Sequence, residues 1–403
     1  MTKIPDRPRR RLLQGAAAAA ALSGRWAAAA DRAAGSGARK VLRLLFNSAE
    51  SSLDPARISD IYSRAITAHI FEALYGYDHL ARPSKLVPLT ADGMPEVSPD
   101  FRVWTIRLQR GIRYPDDPAF KGQVRALQAR DYVFAIQRTV DPANISPIEA
   151  DTADLGIVGL KEARDAAIQG KRPFDYDRPI PGLRALDSHT LRIELHAPRP
   201  RLLYALAKSD LLGAQAREVV EFYGKDITEH PVGTGAFRLT VYERQHRFVL
   251  ERNPKWYGTL HPEMKAPGAV FPSKTDPEDV KAGRIDPSYA GRALPFLDRI
   301  NFSRERESIP RFNKFLQGYY DDGGIIKESF DAIIKDDQLS PEMAARGTRL
   351  DKEVEPTIFY IGFNMDDAVI GTAAGEKSRK LRQAMSLAVN AEEYLRLFLN
   401  GRA

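Results

Sequence analysis

The 403-residue chain contains no cysteine. That removes disulfides, thiol nucleophiles and cysteine-type zinc sites, and leaves stability to a hydrophobic core, which a chain of this length is able to bury. Catalytic signatures are missing too. There is no Gly-x-Ser-x-Gly nucleophile elbow, no glycine-rich phosphate loop and no His-Glu-x-x-His. The seven histidines (69, 79, 189, 196, 230, 246 and 261) are scattered, and each reads as a lone surface residue. No catalytic residue, metal ligand or cofactor follows from the sequence. A lasting excess of one charge is also absent. The formal net charge is +7, but residues 1–40 hold nine bases and two acids, so residues 41–403 carry 51 of each sign. A polyphosphate partner needs a concentrated basic surface, and none remains outside the leader.

The leader itself is informative. Lys3, Arg7, Arg9, Arg10 and Arg11 precede an apolar run from Leu12 to Leu22, and Ala27 to Ala30 offer small residues for cleavage. This is the pattern of an export signal over residues 1–30, and its apolar run is too short to span a bilayer. Arg9 and Arg10, followed by Arg11-Leu12-Leu13, fit the twin-arginine form; an arginine-rich general secretory signal is the alternative. Residues 31–40, rich in Ala, Gly and Ser, read as a linker. The expected location is the periplasm.

The densest motif lies at 230–257. Gly233, Thr234 and Gly235 form a loop whose glycines supply backbone freedom or allow close approach. Phe237, Leu239 and Val241 then alternate as in a half-buried strand. Glu243 to His246 make a polar connection, Arg247 to Leu250 a second strand, and Asn253-Pro254 a stop. Spacing alone describes a glycine-rich hairpin. The string itself, Pro-Val-Gly-Thr-Gly-Ala-Phe and then Arg-Asn-Pro-Lys-Trp-Tyr, closely resembles the signature of the peptide- and nickel-type solute-binding proteins of ABC importers. Weaker matches recur in family order: Leu53-Asp54-Pro55, Glu72-Ala73-Leu74-Tyr75, the helix from Ala129-Arg130-Asp131 to Arg138, Phe363-Asn364-Met365, and Arg382-Gln383-Ala384-Met385-Ser386. Asp54 reads as a loop-holding residue, and Asp131 as a partner of the helix dipole.

The resemblance implies an α/β, two-lobed periplasmic-binding-protein-like fold (type II), with mixed sheets flanked by helices. Residues 41–270 would form the first lobe with an accessory subdomain at about 77–180. Residues 271–403 would begin a second lobe left incomplete. It implies capture of peptides or similar small solutes and delivery to an ABC permease, by hinge closure, as a monomer when complete. It carries over no ligand-binding residue. The competing reading from another class is an exported hydrolase with an unrecognised site.

Other expectations are local. A helix runs from Ile61 to Tyr75, residues 141–180 are irregular surface, 258–295 is a proline-rich loop, and Thr357 to Phe363 is a strand. The pairs Asp116-Asp117, Asp321-Asp322 and Asp366-Asp367 read as solvated turns. Trp104, Trp256, Tyr257 and most aromatics of 359–363 read as core. Asn390 to Glu393 form a capping box for an apolar helix ending at Leu399, whose face needs burial, and this implies further second-lobe sequence.

Overall fold

A computed structural model describes residues 39–78, 80–81, 83–261, 269–271, 276–352 and 360–401. The export signal at 1–30, with Arg9 and Arg10, lies outside the described residues, as do most of the linker and His79.

The chain divides into two compact units, meeting in sequence at Arg304 and Glu305. In the first, β1 (Val41–Phe46), β8 (Phe237–Glu243), β9 (Arg247–Arg252) and β10 (Arg299–Arg304) form one sheet in the order β1-β10-β9-β8. β1 and β10 are parallel, Val41 opposite Arg299; the other pairs are antiparallel. Phe248 and Leu250 of β9 stand opposite Phe302 and Ile300 of β10, and all four are buried in one cluster with Phe46, Leu53, Ile66 and Ile70. β10 falls within the stretch assigned to the second lobe. It is the only partner of β1 in this sheet, so the first unit extends past the expected boundary near 270.

The β8–β9 hairpin differs from simple alternation. Its register shifts between Leu239 and Val241, a bulge at Thr240. One extra residue exchanges the two faces of a strand, so Tyr242 rather than Val241 continues the apolar face behind Phe237 and Leu239.

A second sheet joins β4 (Glu96–Val97), β5 (Val103–Arg107), β7 (Thr190–Glu194) and β6 (Leu183–Asp187), all antiparallel. Helix Ala129–Val140 packs on β6 and β7, and the largest buried cluster lies there: Trp104, Ile106, Tyr132, Ile136, Leu191 and Ile193, among others. β6 and β7 fall outside 77–180, so the sheet of this subdomain closes only with residues up to Glu194. Residues 141–180 are not all irregular. A helix spans Leu160–Gly170 and buries Leu160, Ala163 and Ala167, one helical stripe. Short helices at Tyr257–Leu260 and Pro277–Lys281 likewise occupy the proline-rich stretch; 262–268 and 272–275 lie outside the described residues.

The expected helix from Ile61 to Tyr75 ends at Thr67. Asp60 caps its start, its carboxylate accepting from the Ser63 amide at 2.8 Å. Beyond the helix, carbonyls that would serve helical bonds are claimed by distant segments. His69 O accepts from Phe237 N, Ile70 O from Gly235 N and Glu72 O from Ala214 N. Tertiary pairing overrides a helical pattern here. Ile66 and Ile70 face the sheet cluster and Leu74 faces the larger one.

In the second unit, helix Ser308–Leu316 buries Phe312 beside Ile326, Ile333 and Met343. A two-strand hairpin, Ile334–Lys335 with Gln338–Leu339, turns through Asp336 and Asp337, both at positive φ, as a two-residue primed turn requires. Helices Gly375–Leu387 and Ala391–Phe398 follow. Asn390 caps the last, accepting from Glu393 N at 2.9 Å. The strand expected at 357–363 is not formed by Tyr360 to Phe363, and Tyr360 and Ile361 are strongly exposed rather than core; 357–359 lie outside the described residues.

Candidate functional site

The signature residues meet at the seam between the two buried clusters of the first unit. Gly235 donates its amide to Ile70 O at 2.8 Å, and Phe237 donates to His69 O at 3.2 Å. Neither Gly233 nor Gly235 has positive φ. Backbone freedom is therefore not what the glycines supply. A Cβ at 233 would stand 2.2 Å from Ile70 O, and one at 235 would stand 2.5 Å from His69 O. Close backbone approach is the requirement. Ala236, next in line, packs against both clusters.

Asn253, fully buried, locks the second half of the motif onto the first. Its side-chain amide donates to Gly235 O at 3.0 Å and its backbone amide to Ala236 O at 2.8 Å. Its Oδ1 accepts from Lys255 N at 3.0 Å, an Asx turn that carries the chain around Pro254. This turn delivers Trp256 to the interior. Trp256 Nε1 donates to Glu72 Oε1 at 2.9 Å, and Thr234 Oγ1 donates to Glu72 Oε2 at 2.8 Å. Burial pushes the Glu72 carboxyl up to about 7, against the weaker opposing pull of the Trp256 and Thr234 hydrogen bonds. Gly233, Thr234, Gly235, Asn253 and Pro254 are thus brought together. Glu72, which the sequence offered only as part of a weaker motif, is the common partner of Thr234 and Trp256, one from each half.

Two further buried nodes join motifs that are far apart in sequence. Asp54 accepts from Ala56 N at 3.2 Å, the loop-holding role expected of it. It also receives both terminal nitrogens of Arg138, at 2.6 and 2.8 Å, with both side chains buried. Asp131 accepts from Gln128 N at 2.9 Å and from Arg125 at 2.6 and 3.0 Å, and Arg125 reaches on to Glu218 at 2.7 Å. Asp131 is therefore a buried ion-pair node as well as a helix-start residue. Arg125 belongs to none of the motifs quoted above, and no spacing points to it.

Thr234, Asn253 and Trp256 are buried and their polar groups are already engaged. Ser188 Oγ lies 2.8 Å from His189 Nδ1, but on an exposed turn and with no carboxylate among the described residues on the far ring nitrogen. Asp187 instead accepts from the His189 backbone amide. Among the described residues no group of three His, Asp or Glu side chains is arranged to hold a metal. Asp117, Asp322 and Asp367 accept from backbone amides two residues on, as turn formers do. Trp104, Trp256 and Tyr257 are core. His69 departs from its surface reading. It is half-buried, its ring edge on Phe237 at 5.8 Å, and burial holds its pKa below the usual value. An open groove of about 830 Å³ runs past Phe134, Tyr176, Arg217 and Glu218, and its charges are paired internally, Arg217 with Asp177 and Glu221.

The model of the bacterial extracellular solute-binding proteins, family 5 Middle, matches residues 85–403. The periplasmic oligopeptide-binding protein OppA of Escherichia coli (strain K12) is 28% identical over 326 residues, 79% of this chain and 55% of that protein. OppA of Salmonella typhimurium (strain LT2) is 27% identical over 274 residues, 67% of this chain and 46% of that protein. The chain spans about half the length of these relatives. Among solved structures, Haemophilus influenzae OppA in complex with RPPGFSPFR superposes with a TM-score of 0.55 at 20% identity, over 74% of this chain and 48% of that one. The fold is that of type II periplasmic binding proteins, and the chain belongs to the bacterial extracellular solute-binding proteins of family 5.

Proposed function

We propose that this chain serves an ABC importer as its solute-binding component, capturing peptides or similar small solutes outside the cytoplasmic membrane and presenting them to the permease. The observation that carries this reading is the family match over residues 85–403, supported by a Gly-Thr-Gly loop built as a close backbone contact. The relatives named above are periplasmic oligopeptide-binding proteins. Its family consists of solute-binding proteins rather than enzymes. Capture proceeds by closure of lobes on the solute, without chemistry, and the protein works as a monomer. No described helix is long and apolar enough to cross a membrane.

Calorimetry with a defined peptide mixture tests the reading, alongside turnover of chromogenic ester and peptide substrates. Saturable heat without turnover is the expected result. Turnover with no binding heat would favour the hydrolase. Export is proposed to use Arg9 and Arg10 in the twin-arginine manner; replacing both by Lys then blocks accumulation in the periplasm, and normal accumulation would assign the general secretory route.

A further inference from the structure

Glu72 is a buried carboxylate that no cation pairs with among the described residues. Asp54 and Asp131, equally deep in the same unit, are each neutralised by an arginine. Among the described residues Glu72 has only Trp256 Nε1 and Thr234 Oγ1 on its oxygens. Those two donors belong to the two halves of the signature, 162 and 184 residues away in sequence. Its own backbone is pinned on the other side, where Glu72 O accepts from Tyr132 Oη at 3.1 Å and from Ala214 N at 3.0 Å. The side chain therefore ties the loop at 232–236 and the turn at 253–257 to the 69–73 segment, at the boundary of the two buried clusters.

The arrangement accepts a proton without breaking. A neutral acid donates from Oε2 to Thr234 Oγ1, whose hydroxyl hydrogen rotates away, while Oε1 keeps the indole N–H. The ionised form keeps both donors but leaves a bare charge in the interior, where no counter-charge among the described residues offsets its lost hydration. We propose that Glu72 is a proton-operated latch: as the neutral acid it holds the seam between the two clusters closed, and on losing its proton it leaves an uncompensated charge there and loosens the seam.

The neighbouring groups leave the assignment to Glu72. The Tyr132 and Tyr257 phenols, on elements packed against it, are pushed far up by burial and stay neutral. Asp210, beside Ser209 whose Oγ accepts from Ala73 N, is ion-paired with Arg64. His69, on the same segment, has its pKa lowered by burial. Stability tied to His69 therefore grows as the pH rises, opposite in sign to the Glu72 effect. For Glu72 the folded value near 7 lies above the ordinary 4.5. Between those limits the folded chain holds a proton that the unfolded chain has released. Its contribution is fullest below about 4.5, declines as the pH climbs to about 7 and is level above that.

The test compares the chain with Glu72→Gln, an uncharged replacement that keeps an acceptor for Trp256 and gains a donor for Thr234. Melting temperature is followed from pH 5 to 8.5. The expected result is a near-equal pair at pH 5 and a more stable variant at pH 8, the folded-to-unfolded ratio of the two proteins diverging by roughly 70-fold between those limits. Parallel profiles for the two proteins would overturn the proposal. Should the variant not fold, tryptophan emission of the unaltered chain, with Trp256→Phe subtracted, decides. A titration with a midpoint near 7 supports the latch, and a flat signal across the range defeats it.

Discussion

The described residues of the first unit, up to Arg304, and those of the second, from Glu305, hold themselves together by different means. In the first unit the buried polar contacts join segments far apart in sequence: Arg138 to Asp54 across 84 residues, Thr234 to Glu72 across 162, Trp256 to Glu72 across 184. In the second unit several ion pairs are helix neighbours, Glu376 with Arg379, Glu342 with Arg346 and Glu393 with Arg396, all exposed. Its buried cluster rests on Phe312, Ile326, Ile333 and Met343, whereas Leu387, Tyr394 and Phe398 are more than half exposed. Exposed neighbour pairs each contribute a few tenths of a kcal/mol. A buried long-range pair fixes which segments meet and is costly to break. Sensitivity to substitution therefore concentrates in the first unit.

The largest expected effect is at the Arg138–Asp54 pair. Arg138→Met leaves the Asp54 carboxylate buried with its main partner gone. It should cost about 3–5 kcal/mol, read as a fall in the denaturant midpoint. Adding Asp54→Asn removes the stranded charge and should return much of that loss. If the double variant is no better than the single, the cost lies in packing rather than in the charge, and the contrast between the units narrows.

The Gly-Thr-Gly contact comes next. Gly233→Ala places a Cβ where Ile70 O already stands, 2.2 Å away, so a backbone segment has to move. A loss of about 3 kcal/mol follows, or roughly 6–12 °C in melting temperature for a unit of this size. Gly76→Ala is the control, since its Cβ would meet only Leu89 side-chain atoms at 3.8–4.0 Å. Equal melting temperatures for the two variants would show that the loop yields easily and that the signature is not a tight seam.

These two sites also show what the sequence could and could not disclose. The motif string announced that 233–235 and 253–254 belong together, alternation located β8 though not the bulge that turns its face at Thr240, and the polar connection after it located β9. Periodicity misread 61–75, because Ile66, Ile70 and Leu74 keep helical spacing while they face two different clusters. Spacing cannot tell one apolar face from two. The Glu72 hub was legible only as separate fragments, since nothing local to Glu72 says that its partners lie 162 and 184 residues on. Arg125 was invisible for the same reason. Its carboxylates, Asp131 and Glu218, are found by folding and not by any spacing rule.

The smallest effect is expected in the second unit, and it probes the other side of the contrast. On helix Ala391–Phe398, Leu397 is 39% exposed, and the neighbouring Tyr394 and Phe398 rings pair with each other at 5.1 Å. Leucine and glutamine have similar helix propensities, so Leu397→Gln tests only what the side chain buries. With so much of it already in water, the cost should be about 0.5 kcal/mol or less. Removing apolar surface from a face that also carries Tyr394 and Phe398 should at the same time raise the concentration at which the chain stays monomeric. Chemical denaturation and light scattering on the same samples measure the two quantities. A loss of about 2 kcal/mol or more would mean that Leu397 is gripped like a core residue, and the second unit would then be as firmly specified as the first. A small loss with improved solubility keeps the two units distinct in kind: one fixed by buried contacts between distant segments, the other by short-range pairs around the cluster of Phe312, Ile326, Ile333 and Met343.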